Sequence, residues 1–435
     1  MEKQTRRQSS KLLLDVNEKP SVPKWIMLAI QHVFAMFGAT VLVPILVNEA
    51  AGMEVLTIPV ALFASGIGTL IYIVCTKGKS PVYLGSSFAF IGPVAVGAVK
   101  AGTAGAYTGI IAAGLVYILF AIIIKIIGKS WIKKLLPPVV IGPMIMIIGL
   151  SLAPVAISQI GIIEGAVFEW KPVLVAVVTF LTTTVVALYA KGFLKVIPFL
   201  VGIVTGYVLA AILGMVDFTA VENASWLTVP GILLPFKDYT LNGGALLTIV
   251  PVALVTIAEH IGDHTALSKI IDKDLLEDPG LDNTLLGDGI ATAVAGMIGG
   301  PANTTYGENT SVVGMTKVAS VWVIGLAALI AILISFLGKF TALIGATPGA
   351  VLGGVSILLY GFISVNGLKV LIQNQIDFDK TKNLIVAATM LVLGLGGATI
   401  SIVSGDLSVA ISGMSLAAII GVLLNLLLPD PKEIE

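Results

Sequence analysis

The chain has 435 residues, of which 57% are hydrophobic and 11% charged, with a mean hydropathy of +1.03 and acidic and basic side chains in balance. Soluble domains carry roughly 25% charged residues, so this composition excludes an ordinary water-soluble globule, and a net charge of zero gives no electrostatic reason to bind nucleic acid. The single cysteine, Cys75, excludes an internal disulfide and a cysteine-based metal centre.

Residues 1–23 read as a polar cytosolic tail, because their one apolar run, 12–14, is too short for the hydrophobic region of a signal peptide. Beyond them, apolar runs repeatedly reach the ~20 residues that carry a helix across a bilayer. Examples are VLTIPVALFASGIGTLIYIVC (55–75) and LVAVVTFLTTTVVALYA (174–190). Their spacing is helical and lacks the ~10-residue alternation of membrane strands, so the fold class is an all-α polytopic membrane bundle. Fourteen segments are predicted. The first half holds 24–48, 55–76, 83–99, 104–127, 135–157, 172–190 and 193–215, and is followed by a connection over 216–243. The second holds 244–268, 284–299, 303–315, 318–338, 341–365, 383–398 and 404–429, and 430–435 ends the chain.

The basic residues set an orientation. Of the 25 Lys and Arg, Lys100, Lys171, Lys237 and Lys339 follow odd-numbered segments, and all others precede the first segment or follow even-numbered ones. Basic loops face the cytosol, so both termini are expected there, with 216–243 extracellular.

Two halves of seven segments are inverted relative to one another, an arrangement common in secondary transporters. The third segment of each half looks broken. PVYLGSSFAFIGP (81–93) and PANTTYGENTSV (301–312) both run from Pro through Tyr into Gly and small hydroxyl residues. Such residues allow extended backbone, so each is expected to be a short extended stretch leading into a half-helix. Non-helical backbone at membrane depth survives where it is buried in protein or lines a cavity. The alternative is a pair of Gly-rich helix ends at a loop.

The eighth segment carries TIAEHIGDHTALSK (256–269). Residues four apart share a helix face, which pairs Glu259 with Asp263 and His260 with His264 on the adjacent face. Glu259 lies about 23 Å along the helix from residue 244, deep in the membrane, where a carboxylate marks a functional site. Asp263 and His264 lie nearer the cytosolic end. Glu308, in TYGEN of the tenth segment, is a second intramembrane carboxylate. Asp288 and Asp406, near the starts of the ninth and fourteenth segments, are expected to be interfacial, where snorkelling is cheap. HIGDH also has the order of the inverted zinc-protease pattern with Asp for Glu. A zinc site needs three ligands and an oriented water, and the remaining histidine is His32. His260 is expected to be a packed, hydrogen-bonded histidine.

YLGSSFAF, AEHIGDH and NTTYGEN, with LAIQHVFAMFGATVLVPILV (28–47), IDKDLLEDPGL and GGVSILLYG, resemble the nucleobase–ascorbate transporter (nucleobase:cation symporter-2) family, nearest its bacterial uracil permeases. The resemblance covers about residues 22 to 430. It implies two inverted seven-segment repeats with short antiparallel strands in segments 3 and 10. Segments 1–4 and 8–11 would form a core domain, and segments 5–7 and 12–14 a gate domain. It also implies a multi-pass plasma-membrane transporter rather than an enzyme, working without a cofactor, with a homodimer as the family expectation.

Residue by residue, Glu259 and Glu308 match the carboxylates that hold the base. Phe88 and Gly307 match positions whose backbone N–H groups meet it, and Ala39, Tyr306 and Tyr360 match pocket-lining positions. Uracil permeases of the family often have His where this chain has Asp263, with His264 here shifted by one. Asp263, Glu259 and His264 are therefore the coupling candidates. The family's N-x-G signature reads Asn309-Thr310-Ser311. Purine carriers of the family usually have Gln at the place of Glu308.

The expected function is uracil:proton symport by alternating access. Xanthine or another purine, or Na⁺ coupling, is the alternative. Anion carriers and channel-like proteins of the same fold are expected to place neutral or basic groups at the site. Two carboxylates argue against that class.

Overall fold

The computed structural model describes residues 12–233, 239–404, 407–411 and 413–429. Asp406, Lys237, Lys432 and the basic residues before Leu12 lie outside the described residues.

The first half runs α1 (Val22–Ala51), α2 (Ile58–Cys75), β1 (Leu84–Ser86), α3 (Ile91–Ile127), α4 (Ser130–Leu135), α5 (Pro138–Ser151), α6 (Ala153–Ile160), α7 (Trp170–Tyr189) and α8 (Pro198–Ile212). After the short α9 (Thr219–Asn223) comes the second half. It runs α10 (Gly243–Ile249), α11 (Val252–Ile271), α12 (Leu281–Met297), β2 (Asn303–Thr305), α13 (Gly307–Thr316), α14 (Val321–Ser335), α15 (Gly338–Gly345), α16 (Gly349–Gln373), α17 (Thr381–Leu395), β3 (Ile400–Ser404), β4 (Leu407–Ile411) and α18 (Gly413–Leu427). Among the described residues, seven helical stretches are long and apolar enough to cross a membrane, and α8, α14, α17 and α18 are shorter apolar helices.

Proline and glycine explain the breaks. Gly102 sits at φ 70°, which divides α3 into the third and fourth predicted segments. Pro251 stands between α10 and α11, and Pro138 and Pro198 open their helices at a position where a missing N–H costs nothing.

Three expectations are corrected. The segment predicted at 341–365 is two helices, α15 and α16, parted before Pro348, because the residue preceding a proline is disfavoured in the helical region. The segment predicted at 404–429 is an antiparallel hairpin, with Ile400 paired to Ile411 and Ser404 to Leu407, followed by α18. Its alternation of apolar and small residues has the strand period of two. Asp288 does not reach solvent as a snorkelling side chain would. It lies in the second turn of α12, with none of its surface exposed, because α12 is wedged between α2 and α3.

The two broken segments meet. β1 and β2 pair antiparallel, Leu84 with Thr305, Gly85 with Thr304 and Ser86 with Asn303. Extended backbone inside a membrane protein must be satisfied internally, and α2 supplies much of that. Leu84 N–H donates to Thr69 Oγ1 at 2.9 Å, and Ser65 Oγ donates to Leu84 O at 2.7 Å. Ser87 N–H adds a bond to Ala302 O at 2.9 Å. Gly85 is required sterically, since a Cβ there would lie 2.3 Å from Tyr306 Cζ.

Helix packing gathers α1, α2, α3, α10, α12 and α14 around this strand pair, and α5, α6, α7, α8, α16, α17 and α18 beside one another. Within the first group α3 and α12 touch backbone to backbone, and a Cβ on Gly289 would fall 2.8 Å from Gly114 O. Small residues permit such approach in membranes, where dispersion and hydrogen bonds replace the hydrophobic drive. Helices α1, α11 and α13 face the second group across a cavity.

Candidate functional site

Two half-helices start from the crossed strands. A 3₁₀ turn at Phe88–Phe90 leads into α3, and Tyr306 caps α13, whose first residues are Gly307 and Glu308. The first N–H groups of a helix have no intrahelical acceptor and carry partial positive charge, so both starts offer donors at the same depth. Tyr306 fixes the crossing. Its hydroxyl donates to Ser86 O at 3.0 Å and accepts from Thr40 Oγ1 at 3.1 Å.

A cavity of 1090 Å³ lies against these starts, lined by Phe88, Glu259, Asp263, Thr304, Thr305, Tyr306, Gly307 and Glu308. Glu259 and Asp263 are half-buried and share the cavity face of α11, as their spacing requires. Each is tied to β2. Thr305 Oγ1 donates to Asp263 Oδ2 at 2.6 Å, and Thr304 Oγ1 donates to Glu259 Oε2 at 3.4 Å. The cavity continues to Lys129, Lys133, Lys195, Lys269 and Lys369, so it faces the lysine-rich side of the molecule. A second, largely apolar cavity of 330 Å³ also touches Glu308 and is lined by Ala39, Ile203, Tyr207 and Phe340.

The remaining predicted residues are placed differently. Ala39 lines the second cavity, and Tyr360 stands behind Phe88 in edge contact, with ring centroids 6.0 Å apart. The two histidines turn away from the cavity. Their rings stack at 4.0 Å, His260 Nδ1 meets Asp288 Oδ2 at 2.8 Å, and His264 Nε2 meets the Tyr72 hydroxyl at 2.5 Å. His264 Nδ1 donates to His260 O at 2.8 Å, so Nε2 accepts from Tyr72, which also bonds Ser80. His32 is joined to the half-helix, with Asn309 Nδ2 donating to His32 O at 3.1 Å. Ser311 sends its hydroxyl back to Gly307 O at 2.9 Å.

Sequence reasoning assigned no role to Thr304, Thr305 or Asn366, although all three line the cavity. The threonines stand inside a quoted motif, NTTYGEN, and were legible as strand residues beside the site. Nothing in the pattern of α16 singles out Asn366. Among the described residues, no three His, Cys, Asp or Glu side chains are grouped to hold a metal ion.

The profile of the xanthine/uracil permease family, described as "Permease family", matches residues 23–403, which include both strands and both glutamates. The chain is 46% identical over 429 residues to the uracil permease of Bacillus subtilis (strain 168), covering 97% of each chain. It is 42% identical to the uracil permease of Escherichia coli (strain K12), covering 95% of this chain and 93% of that one. The chain belongs to the nucleobase:cation symporter-2 permease family. It is therefore a multi-pass membrane transport protein. Its fold is shared with two solved structures of low identity. One is the transmembrane domain of the cyanobacterial bicarbonate transporter BicA, with TM-score 0.60, 14% identity, and coverage of 94% of this chain and 100% of that one. The other is the murine Slc26a9 anion transporter in the inward-facing state, with TM-score 0.65, 12% identity, and coverage of 98% and 73%. The likeness extends over both halves, and the fold is the pair of inverted seven-segment repeats with strands crossing in segments 3 and 10.

Proposed function

We propose that this permease imports uracil across the cell membrane in symport with protons, with both termini in the cytosol. The observation that carries the reading is the convergence of Glu259, Glu308 and two half-helix starts on one cavity, in a chain 42–47% identical to proteins named uracil permease. Uracil is flat and neutral, with N–H donors and C=O acceptors alternating around its rim. Carboxylates accept from the N–H groups, and the backbone N–H groups of Phe88 and Gly307 donate to the C=O groups. An unpaired group in such a site costs about 1–3 kcal/mol, so the pattern rejects bases whose donors and acceptors fall elsewhere.

Asp263 and Glu259 are the proton carriers in this reading. A neutral carboxyl has a hydrogen to donate, and an ionised one does not. Protonation therefore changes the hydrogen-bond set around the base, and loading of the proton and of the base become one event. His264, facing Tyr72, takes part by holding α11 against α2. Transport then moves the strand-bearing body against the α5–α8 and α16–α18 body, so that the site faces each side in turn. Glu308 borders two cavities, which supports this exchange.

A second reading keeps uracil and replaces the proton with Na⁺. It rests on Asp263, since a carboxylate and the Thr305 hydroxyl are both oxygen ligands. Radiolabelled uracil uptake into proteoliposomes decides between them. Accumulation with an inward proton gradient alone supports proton symport, and accumulation that requires Na⁺ supports the second reading. Protein that binds a purine and takes up no uracil under either gradient overturns the substrate.

A further inference from the structure

The wall opposite the carboxylates is α16, and the reading above gives its polar side chain Asn366 no task. Asn366 lines the main cavity and is open to it. Gly307 shows where its amide points. A Cβ built on Gly307 would lie 3.9 Å from Asn366 Nδ2 and 3.9 Å from Asp263 Oδ1. The amide and the carboxylate thus flank the open space over the first residue of α13. In the structure the amide lies with Oδ1 3.5 Å from Lys369 Nζ, one turn further along the same face of α16. With the oxygen turned to the ammonium, the NH₂ group is left facing the space over Gly307.

This adds a side-chain N–H donor to a site whose carboxylates, when ionised, only accept. Ionised Glu259, Asp263 and Glu308 only accept, and the half-helix N–H groups are fixed in the backbone. Asn366 is a side-chain donor, carried by the body that packs against α5, α6 and α7, and it is aimed at the same space as the start of α13. A carbonyl oxygen has two lone pairs, so one oxygen over Gly307 receives both the backbone N–H and the amide N–H. A ring amino group in that place would oppose two donors with a third.

We propose that Asn366 is a specificity-determining residue of this permease, donating from Nδ2 to a ring carbonyl oxygen that sits over Gly307 and so selecting an oxo over an amino substituent at that ring position. The proposal rests on the uracil reading and names the discriminating contact within it.

The test is equilibrium binding of radiolabelled uracil and cytosine, which differ by an oxo-for-amino exchange and the accompanying loss of the hydrogen on the adjacent ring nitrogen, to the purified full-length parent and to Asn366→Asp and Asn366→Ala. Asn366→Asp turns a donor into an acceptor. It is expected to weaken uracil about ten-fold or more and to shrink the uracil-to-cytosine affinity ratio by a similar factor, while Asn366→Ala weakens uracil with a smaller change in the ratio. Size-exclusion profile and melting temperature confirm that each variant is folded. Folded variants that bind both bases within about two-fold of the parent overturn the assignment, and so does an equal loss for both bases. A parent that binds no uracil ends the uracil reading and this assignment with it. Parent binding with unaffected variants ends the assignment alone.

Discussion

His260 Nδ1 stands 2.8 Å from Asp288 Oδ2, and neither side chain has any exposed surface. The pair fastens α11, which carries the cavity carboxylates, to α12. Removing one partner of a buried pair strands the other, at a cost of about 3 kcal/mol or more. Asp288→Ala is expected to lower the melting temperature of the detergent-solubilised protein clearly. Asp288→Asn, whose Oδ1 still accepts from the imidazole, should lose much less. Equal melting for Asp288→Ala and the parent would remove the pair from the structural account.

Two glycines of the crossing should respond in opposite ways. At Gly85 a methyl group would meet the Tyr306 ring at 2.3 Å, and the strand pairing leaves it nowhere to go. Overpacking of this kind costs about 1–3 kcal/mol or more, so Gly85→Ala is expected to reduce folded yield and melting temperature. At Gly307 the nearest atoms to a methyl group are 3.9 Å away across open cavity. Gly307→Ala is expected to fold and melt as the parent does, yet bind uracil more weakly because the methyl occupies the base's space. Melting curves and binding isotherms on the same samples separate the two effects.

Glu308 is the second residue of α13 and borders both cavities. A hydrogen bond to a charged acceptor is worth about 1.5–3 kcal/mol, or roughly ten- to a hundred-fold in affinity. Glu308→Gln should weaken uracil binding by about that factor or abolish it, with stability unchanged. Unchanged affinity would refute the role given to this carboxylate.

Outside the membrane, Lys273 Nζ lies 2.6 Å from Asp15 Oδ1 and ties the N-terminal segment to the end of α11. The hydrogen bond from Lys273, and then that from the Val16 N–H, hold the Asp15 carboxyl below its usual range. A depressed folded value means that the stabilisation is present above the unfolded value near 3.9 and is lost as pH falls through the folded one. Side-chain exposures of 44% for Lys273 and 49% for Asp15 limit it to a fraction of 1 kcal/mol, roughly. Asp15→Asn should therefore cost little at neutral pH, less in high salt and nothing once the carboxyl is protonated. A melting difference that grows as the solution is acidified would contradict the assigned cause.

How much of this was readable beforehand depended on whether a signal was local. The strand-and-half-helix breaks were legible because Pro, Gly and small hydroxyl residues recur at matching places in both halves. The shared face of Glu259 and Asp263 followed from helical spacing alone. The β3–β4 hairpin was hidden because a ~20-residue apolar window averages over its period of two. The burial of Asp288 was missed for a different reason. Nearness to a segment end measures distance along one helix, whereas burial depends on the neighbours, here α2 and α3. For the same reason neither the turning of His264 towards Tyr72 nor that of Asn366 towards Gly307 was visible, since each depends on a residue far away in sequence.

Leu84 and Thr305 pair across more than half the length of the chain. At 5–20 residues per second, Thr305 leaves the ribosome roughly 10–40 s after Leu84. Through that interval the inserted first repeat must hold an unpaired strand at membrane depth, with only α2 to satisfy it. The strand crossing beside the cavity is thus among the last parts of the molecule to form. A nascent chain arrested before residue 303 should be a substrate for membrane quality control rather than a half-working carrier.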